Sequence, residues 1–230
     1  PSFFGFVYPL GDGAMASLTW AQRLYQLPLG VFGIALATAI YPLLAKQVND
    51  AALFASTMRR GLRTVIFIGL PASAGLLFVR DPLAMVVFKG ANFTASDAMF
   101  VGSILLGYAP AVWAYSMTQV VTKGYYAKND TMTPVKVAIF CVCLNFLLNV
   151  TLIWTPLGIT GLAWSTAICG VIQVCILLAL FRRHVPILID RNVLKSWFYT
   201  AILTLTLSVS VGLLVQMTWD QTSSWTNSLF

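Results

Sequence analysis

Six stretches of this chain carry no charge for long enough to cross a lipid bilayer, and that constrains the fold more than any motif. The first covers 22 residues, 24–45, between Arg23 and Lys46. Residues 64–79 give 16 between Arg63 and Arg80, and residues 98–121 give 24. Residues 137–154, 161–181 and 197–217 complete the set. A helix needs about 20 apolar residues to cross roughly 30 Å of hydrocarbon. The 16-residue run is short, but its flanking arginines can snorkel outward. Lipid leaves only helices or closed barrels, since each backbone polar group must find a partner inside the protein. Barrel strands would alternate in polarity every second residue, and these runs do not. The expected fold is all-α: a polytopic transmembrane helical bundle of about six complete spans, forming one domain over residues 1–230. The spans are expected at 14–45, 64–79, 98–121, 137–154, 161–181 and 197–217. The apolar opening, residues 1–10, reads as the tail of a truncated span, so that the chain is a fragment.

A soluble reading fails on composition. Hydrophobic residues make up 59% and charged residues 9%, against roughly 45–50% and about 25% in soluble domains. The net charge of +7 comes from an acid deficit, for the chain has no Glu and only seven Asp. A basic excess of this kind would serve nucleic acid only if it were gathered on a polar domain. Here Lys and Arg occupy short connections, so nucleic acid is excluded as a partner.

Those connections set the orientation. Lys46, Arg59, Arg60 and Arg63 lie between the first two spans. Lys123, Lys128 and Lys136 lie between the third and fourth, and Arg182, Arg183, Arg191 and Lys195 between the fifth and sixth. The opposite side has only Arg80 and Lys89. Cytoplasmic loops are enriched in Lys and Arg, so the first side is expected in the cytoplasm and both chain ends outside.

Local signals refine the boundaries. Thr94, Ala95, Ser96 and Asp97 read as a capping box opening the third span. Thr133 followed by Pro134 reads as a hydroxyl N-cap with proline at the first helical position. Pro28 removes a backbone hydrogen bond and should kink or break the first span. Beside it Gly30, Gly33 and Ala37 are small enough to let another helix approach, so Pro28, Gly30 and Gly33 are the expected hinge. Pro71 and Pro110 predict further bends. The polar residues 221–228 read as an external loop end.

The chemistry-bearing residues point away from catalysis. Cys141, Cys143, Cys169 and Cys175 all fall inside spans and read as buried small apolar residues. A C-x-C pair on a helix projects its sulfurs about 200° apart, and His184 is the one histidine, so no metal site is expected. No phosphate-binding glycine loop, carboxylate pair or nucleophile–base set is visible, and neither enzyme activity nor a cofactor is expected. Asp97 and Asp130 read as helix caps or loop solvation. The three N-x-T triplets at Asn92, Asn129 and Asn149 read as chance.

Arg23 stands apart as the one charge between Asp12 and Lys46. A guanidinium at bilayer depth is costly unless it faces water or a partner, and such residues usually serve a function. It could equally mark the end of the span and snorkel to the headgroups. Gln22, Tyr25 and Gln26 around it are polar enough to line a wet surface.

The run from Ala21 to Ala35, AQRLYQLPLGVFGIA, resembles the "A-D-R-L-x-x-L-P-x-G-x-x-G-x-A" segment of the MurJ (MviN) family of bacterial lipid II flippases. Two further stretches resemble the same family in the right order. Residues 88–97, FKGANFTASD, are similar to its "F-x-x-G-x-F-T-x-x-D" loop, and residues 124–136, GYYAKNDTMTPVK, to "F-Y-A-x-x-D-x-x-T-P-V-K". The resemblance implies a MATE-like, fourteen-helix fold of two lobes around a cationic cavity. This chain would supply the seventh to thirteenth helices, and the first lobe of the same polypeptide would be its partner. It further implies lipid II, the undecaprenyl-pyrophosphate-linked peptidoglycan precursor, as substrate, moved by alternating access across the bacterial inner membrane. Membrane lipids would be the other partners, and the energy source is left open. Arg23 falls on the family's cavity arginine, a planar fork of donors suited to a pyrophosphate. Arg23, Gln26, Gln22 and Tyr25 are therefore the expected substrate-binding residues. The chain departs from the pattern at Gln22, where Asp is common, and at Gln26, which is acidic in some members. A related polysaccharide-repeat or multidrug exporter, or a non-transporting membrane scaffold subunit, are the alternatives.

Overall fold

The computed structural model describes residues 2–3, 6–7, 13–88 and 94–227. The expectation for residues 1–10 lies largely outside these. The four described there form two short antiparallel strands, β1 (Ser2–Phe3) and β2 (Phe6–Val7), and are extended rather than helical. Of the second motif, residues 89–93 lie outside the described residues.

The rest is all helix: α1 (Ala14–Pro28), a π-helical segment (Leu29–Ile34), α2 (Ala35–Lys46), α3 (Ala51–Phe88), α4 (Ala95–Ala127), α5 (Met132–Leu152), α6 (Gly158–Phe181) and α7 (Arg191–Asn227). Among the described residues six helices are long and apolar enough to cross a membrane, with α1, the π segment and α2 forming one of them. The sixfold count agrees with the uncharged runs, but the helices are longer. Charge marks where a helix leaves hydrocarbon, and hydrogen bonding carries it on. Arg59, Arg60 and Arg63 thus sit within α3, and Arg191 and Lys195 within α7. At 38 residues, about 57 Å at 1.5 Å per residue, α3 is not short for a bilayer. Residues 221–227 are also helical, where a loop end was expected.

Helix α4 is the core of the bundle. It packs against α1, the π segment, α2, α3, α5 and α6. Of its most apolar window 61% is buried inside the protein, against 11% for α5 and for α7. Lipid tails are as apolar as leucine, so helices in a bilayer associate through close packing rather than hydrophobic exclusion. Small residues make that packing possible here. A Cβ added at Gly33 would lie 2.9 Å from the Cα of Ser116 on α4, and one at Gly107 would lie 2.7 Å from the Cβ of Ala163 on α6.

Capping follows the sequence at one helix and departs from it at another. Thr94 and Asp97 form the expected box: the Thr94 N–H and hydroxyl both donate to Asp97 Oδ2, and the Asp97 N–H donates to Thr94 Oγ1. At α5 the N-cap position is Thr131, not Thr133, and Thr131 makes no side-chain cap; Asp130, one residue before it, supplies the acceptor. Its carboxylate accepts from the Thr133 N–H at 3.0 Å and the Thr133 hydroxyl at 2.8 Å. The helix begins at Met132, which puts Pro134 at its third position. Thr133 is thus inside the first turn and a donor to the carboxylate, where an N-cap would have been an acceptor. Pro71 and Pro110 lie inside continuous helices, and the Trp113 N–H, three residues past Pro110, donates to Ser73 Oγ on α3.

Candidate functional site

A polar stripe runs along the open face of α1. Thr19, Arg23 and Gln26 recur at four- and three-residue intervals, so a 3.6-residue turn stacks them on one side, and all three are exposed. Ser17, Ala21, Leu24 and Tyr25 on the other side are buried. The Thr19 hydroxyl donates back to the Met15 carbonyl at 2.9 Å, which leaves its oxygen able to accept from a ligand. The Arg23 guanidinium lies 4.8 Å from the centre of the Trp20 ring, one turn earlier. An exposed contact of this type is worth about 0.5–1 kcal/mol. That is enough to orient the fork, while the charge stays available. Among the described residues no carboxylate pairs with Arg23.

The four expected binding residues divide into two pairs. Arg23 and Gln26 face outward. Tyr25 turns inward and stacks on Tyr108 of α4, ring centres 4.7 Å apart and 12° from parallel. Gln22 is half-buried and donates to the Tyr108 hydroxyl at 3.1 Å. Gln22 and Tyr25 therefore anchor the arginine-bearing turn to the core, with Tyr108 completing a triad that sequence reasoning missed. Thr19 was also missed, although its spacing from Arg23 was readable.

The expected hinge divides as well. Pro28 ends the regular α ladder, and the π-helical segment follows at once. A proline offers no N–H to the preceding turn, and wide turns of this kind often absorb the break. Gly33 and Ala37 are buried in the close approach to neighbouring helices. A Cβ at Gly30 would meet nothing within 4 Å, so Gly30 is no packing residue.

Two further clusters belong to the frame. Within the membrane, Asn145 and Asn149 of α5 meet Ser165 of α6. Asn149 donates to Asn145 at 2.9 Å, Asn145 donates to Ser165 Oγ at 3.3 Å, and the Ser165 hydroxyl donates to Asn149 Oδ1. Interhelical hydrogen bonds in bilayers average about 0.6 kcal/mol, so this knot sets register more than stability. The four cysteines were expected buried, but only Cys141 and Cys169 are; Cys143 and Cys175 are exposed. Opposite environments for Cys141 and Cys143 are what a turn of about 200° requires.

The third motif stitches one end of the bundle together. Tyr125 is buried, donates to the Leu177 carbonyl at 2.8 Å, and packs edge-on to Phe181. Lys128 Nζ donates to the Val48 carbonyl and lies 4.3 Å from the Phe54 ring centre. Asp130 also meets His184 Nε2 at 3.1 Å. Burial pushes the Asp130 carboxyl up, but the hydrogen bonds from Thr133 and the contact with His184 outweigh it and hold the group below the usual carboxylate range. Arg59 pairs with Asp190 at 3.6 Å and donates to the Ile187 carbonyl. The three basic connections thus converge on a single end.

The chain has relatives among known proteins. The family model described as lipid II flippase MurJ matches residues 5–230. A probable lipid II flippase MurJ of Vibrio cholerae is 37% identical over 170 residues, which is 73% of this chain and 32% of that protein. Its counterpart from Rhizobium meliloti is 34% identical over 177 residues, 75% of this chain and 33% of that protein. Lipid II flippase MurJ of Thermosipho africanus is 29% identical over 161 residues, 70% and 33% of the two. This chain therefore spans about a third of the length of these curated relatives. A solved structure, of a lipid II flippase MurJ in an inward closed conformation, superposes with a TM-score of 0.73 at 24% identity, covering 95% of this chain and 48% of that one. At that identity the likeness bears on fold alone.

Proposed function

Because the chain belongs to the MurJ family of lipid II flippases, we propose that its α1 face forms one wall of a cavity through which lipid II crosses the bacterial inner membrane. The first lobe of such a transporter would supply the facing wall. Arg23 receives the pyrophosphate, and Gln26 and Thr19 offer neutral hydrogen-bonding groups to the sugar-peptide headgroup. Gln22 and Tyr25 hold the turn through Tyr108. The exposed polar stripe centred on a guanidinium without a described carboxylate partner carries this reading. A face turned to hydrocarbon would not keep a threonine, an arginine and a glutamine in line, since each unsatisfied group there is costly.

A chimera tests the reading. The matching stretch of the Vibrio cholerae relative is replaced by this chain, and the chimera is the sole flippase in cells depleted of their own. It should sustain growth and bring lipid II to the outer surface, measured by its accessibility to an external lipid II-degrading toxin. A chimera that reaches the membrane at the normal level yet leaves lipid II inside would refute the proposal.

The convergence of Arg59 and Lys128 with the basic connection from Arg182 to Lys195 at one end supports a cytoplasmic orientation for that end. In a background without native cysteines, Asn129→Cys should resist an impermeant maleimide applied to intact cells, and Asn92→Cys should react. Reversed reactivity would overturn the orientation.

A further inference from the structure

Lys123 was expected in a connection between spans, but it lies inside α4, one turn before the helix ends, and is half-buried. The other half-buried Lys and Arg among the described residues each donate to a protein oxygen. Arg59 donates to the Ile187 carbonyl, Arg63 to the Arg59 carbonyl, Arg80 to Asp81 and Lys128 to the Val48 carbonyl. Lys123 donates to none and pairs with no described carboxylate. Its Nζ lies 5.6 Å from the ring centre of Tyr41 on α2 and 5.7 Å from that of Tyr126, one turn further along α4. Two rings attract the charge of an ammonium, but they leave its three N–H groups without an oxygen. A half-buried ammonium in that state is costly unless an acceptor reaches it, and the Nζ is not sealed off from the outside.

The first membrane-crossing helix turns one continuous side to α4. Tyr25 meets Tyr108, Gly33 meets Ser116, and Ala37, Ile40 and Leu44 share a core with Met117, Val120 and Val121. The opposite side carries Thr19, Arg23 and Gln26 and runs on to Thr38. Thr38 is exposed and, like Thr19, donates its hydroxyl back into its own helix, to the Ile34 carbonyl at 2.8 Å. Tyr41 follows one turn later at the edge of this side, where Lys123 reaches it. The helix between residues 23 and 41 separates the two cations by roughly 27 Å at 1.5 Å per residue.

We propose that Lys123 is a loading site: on the cytoplasmic side its ammonium, framed by Tyr41 and Tyr126, takes the lipid-linked pyrophosphate first and passes it along the stripe to Arg23. The identity of the anion rests on the transport reading above. The unmet donors of Lys123 do not. An ammonium is a compact, hydrated point charge with rotatable donors, whereas a guanidinium is a fixed fork that grips two oxygens at once. The first kind of group suits a site that must release its cargo, and the second suits the site that receives it.

Undecaprenyl pyrophosphate is the probe, titrated onto the purified chimera in detergent and followed by native mass spectrometry. The chimera carries Arg23→Ala, so that the deeper arginine does not mask the first site. Adding Lys123→Gln should raise the half-saturating concentration about tenfold. Lys123→Arg should stay within about threefold, because the charge is kept, and Lys195→Gln, an exposed charge on α7, within about twofold. Phosphatidylglycerol, an ordinary membrane phospholipid, should respond to Lys123→Gln by no more than about twofold. An equal loss for both lipids would make Lys123 a membrane anchor and overturn the loading site, as would identical titrations for Lys123→Gln and Lys195→Gln. If Lys123→Gln loses its helical melt, Tyr41→Leu is read instead, and an unchanged affinity there would equally overturn the site. Export separates the two readings. A chimera with Arg23 intact that binds the probe through Lys123 yet exports nothing would leave the site standing and refute transport. One that exports, and whose Lys123→Gln form binds and exports as well as its parent, would refute the site alone.

Discussion

Arg23→Ala, made in the whole transporter, is expected to abolish lipid II export while the protein still reaches the membrane at its normal level. The guanidinium sits on an exposed polar stripe, steered by Trp20 and without a carboxylate partner among the described residues. Losing one charge-assisted hydrogen bond to an anion costs about 1.5–3 kcal/mol, or roughly 10- to 150-fold in affinity. Arg23→Lys should retain part of the activity, because an ammonium keeps the charge but loses the two-pronged fork. Export is read by external accessibility of lipid II at matched protein levels. Wild-type export by Arg23→Ala would mean that the side chain only snorkels to the headgroups, and the cavity assignment would fall.

The second large effect is expected at Gly33 and is one of packing. A Cβ there would lie 2.7 Å from Ser116 Oγ and 2.9 Å from Ser116 Cα. The latter is backbone, so no rotamer change relieves the clash. Overpacking of this kind costs about 1–3 kcal/mol with small groups, and the branched side chain of Gly33→Val should reach or exceed the top of that range. The apparent melting temperature should fall by several degrees, and export should fall with it as the arginine-bearing helix is pushed off α4. Gly30→Ala is the contrast. Nothing lies within 4 Å of its Cβ position, so stability should be unchanged or rise by up to about 1 kcal/mol from reduced freedom of the unfolded chain. Equal destabilisation at both glycines would refute the view that only Gly33 is a contact point.

These two positions also mark how far the sequence could be read. The six spans were legible because charge is nearly incompatible with hydrocarbon, so the gaps between charges are physical boundaries. Helix ends were less so: α3 runs through Arg59, Arg60 and Arg63 because a helix does not stop where the lipid does. Arg23 stood out as an isolated charge, yet its neighbours looked equivalent. Tyr25 and Gln26 are adjacent, and only the step of about 100° between them sends one to the core and the other outward. Gly30 and Gly33 were likewise indistinguishable as letters; their difference is the presence of Ser116, far along the chain on another helix. The α5 start was misplaced for a local reason: Asp130 accepts both the Thr133 N–H and its hydroxyl, which draws Thr133 into the first turn and moves the N-cap position back to Thr131.

The central place of α4 has a consequence for biogenesis. Helices enter the membrane in chain order, and the span of residues 14–46 and α3 share limited contact with each other before α4 follows them. Helix α4 supplies the partners of Gly33, Tyr25 and Gln22. Until it is inserted, the polar stripe of α1 has no fixed direction in the bilayer. Assembly of this bundle therefore has a commitment point at α4: α5 and α7, which bury little, join at the rim of a unit already formed, whereas a lesion in α4 would leave the helices before and after it alike without a template.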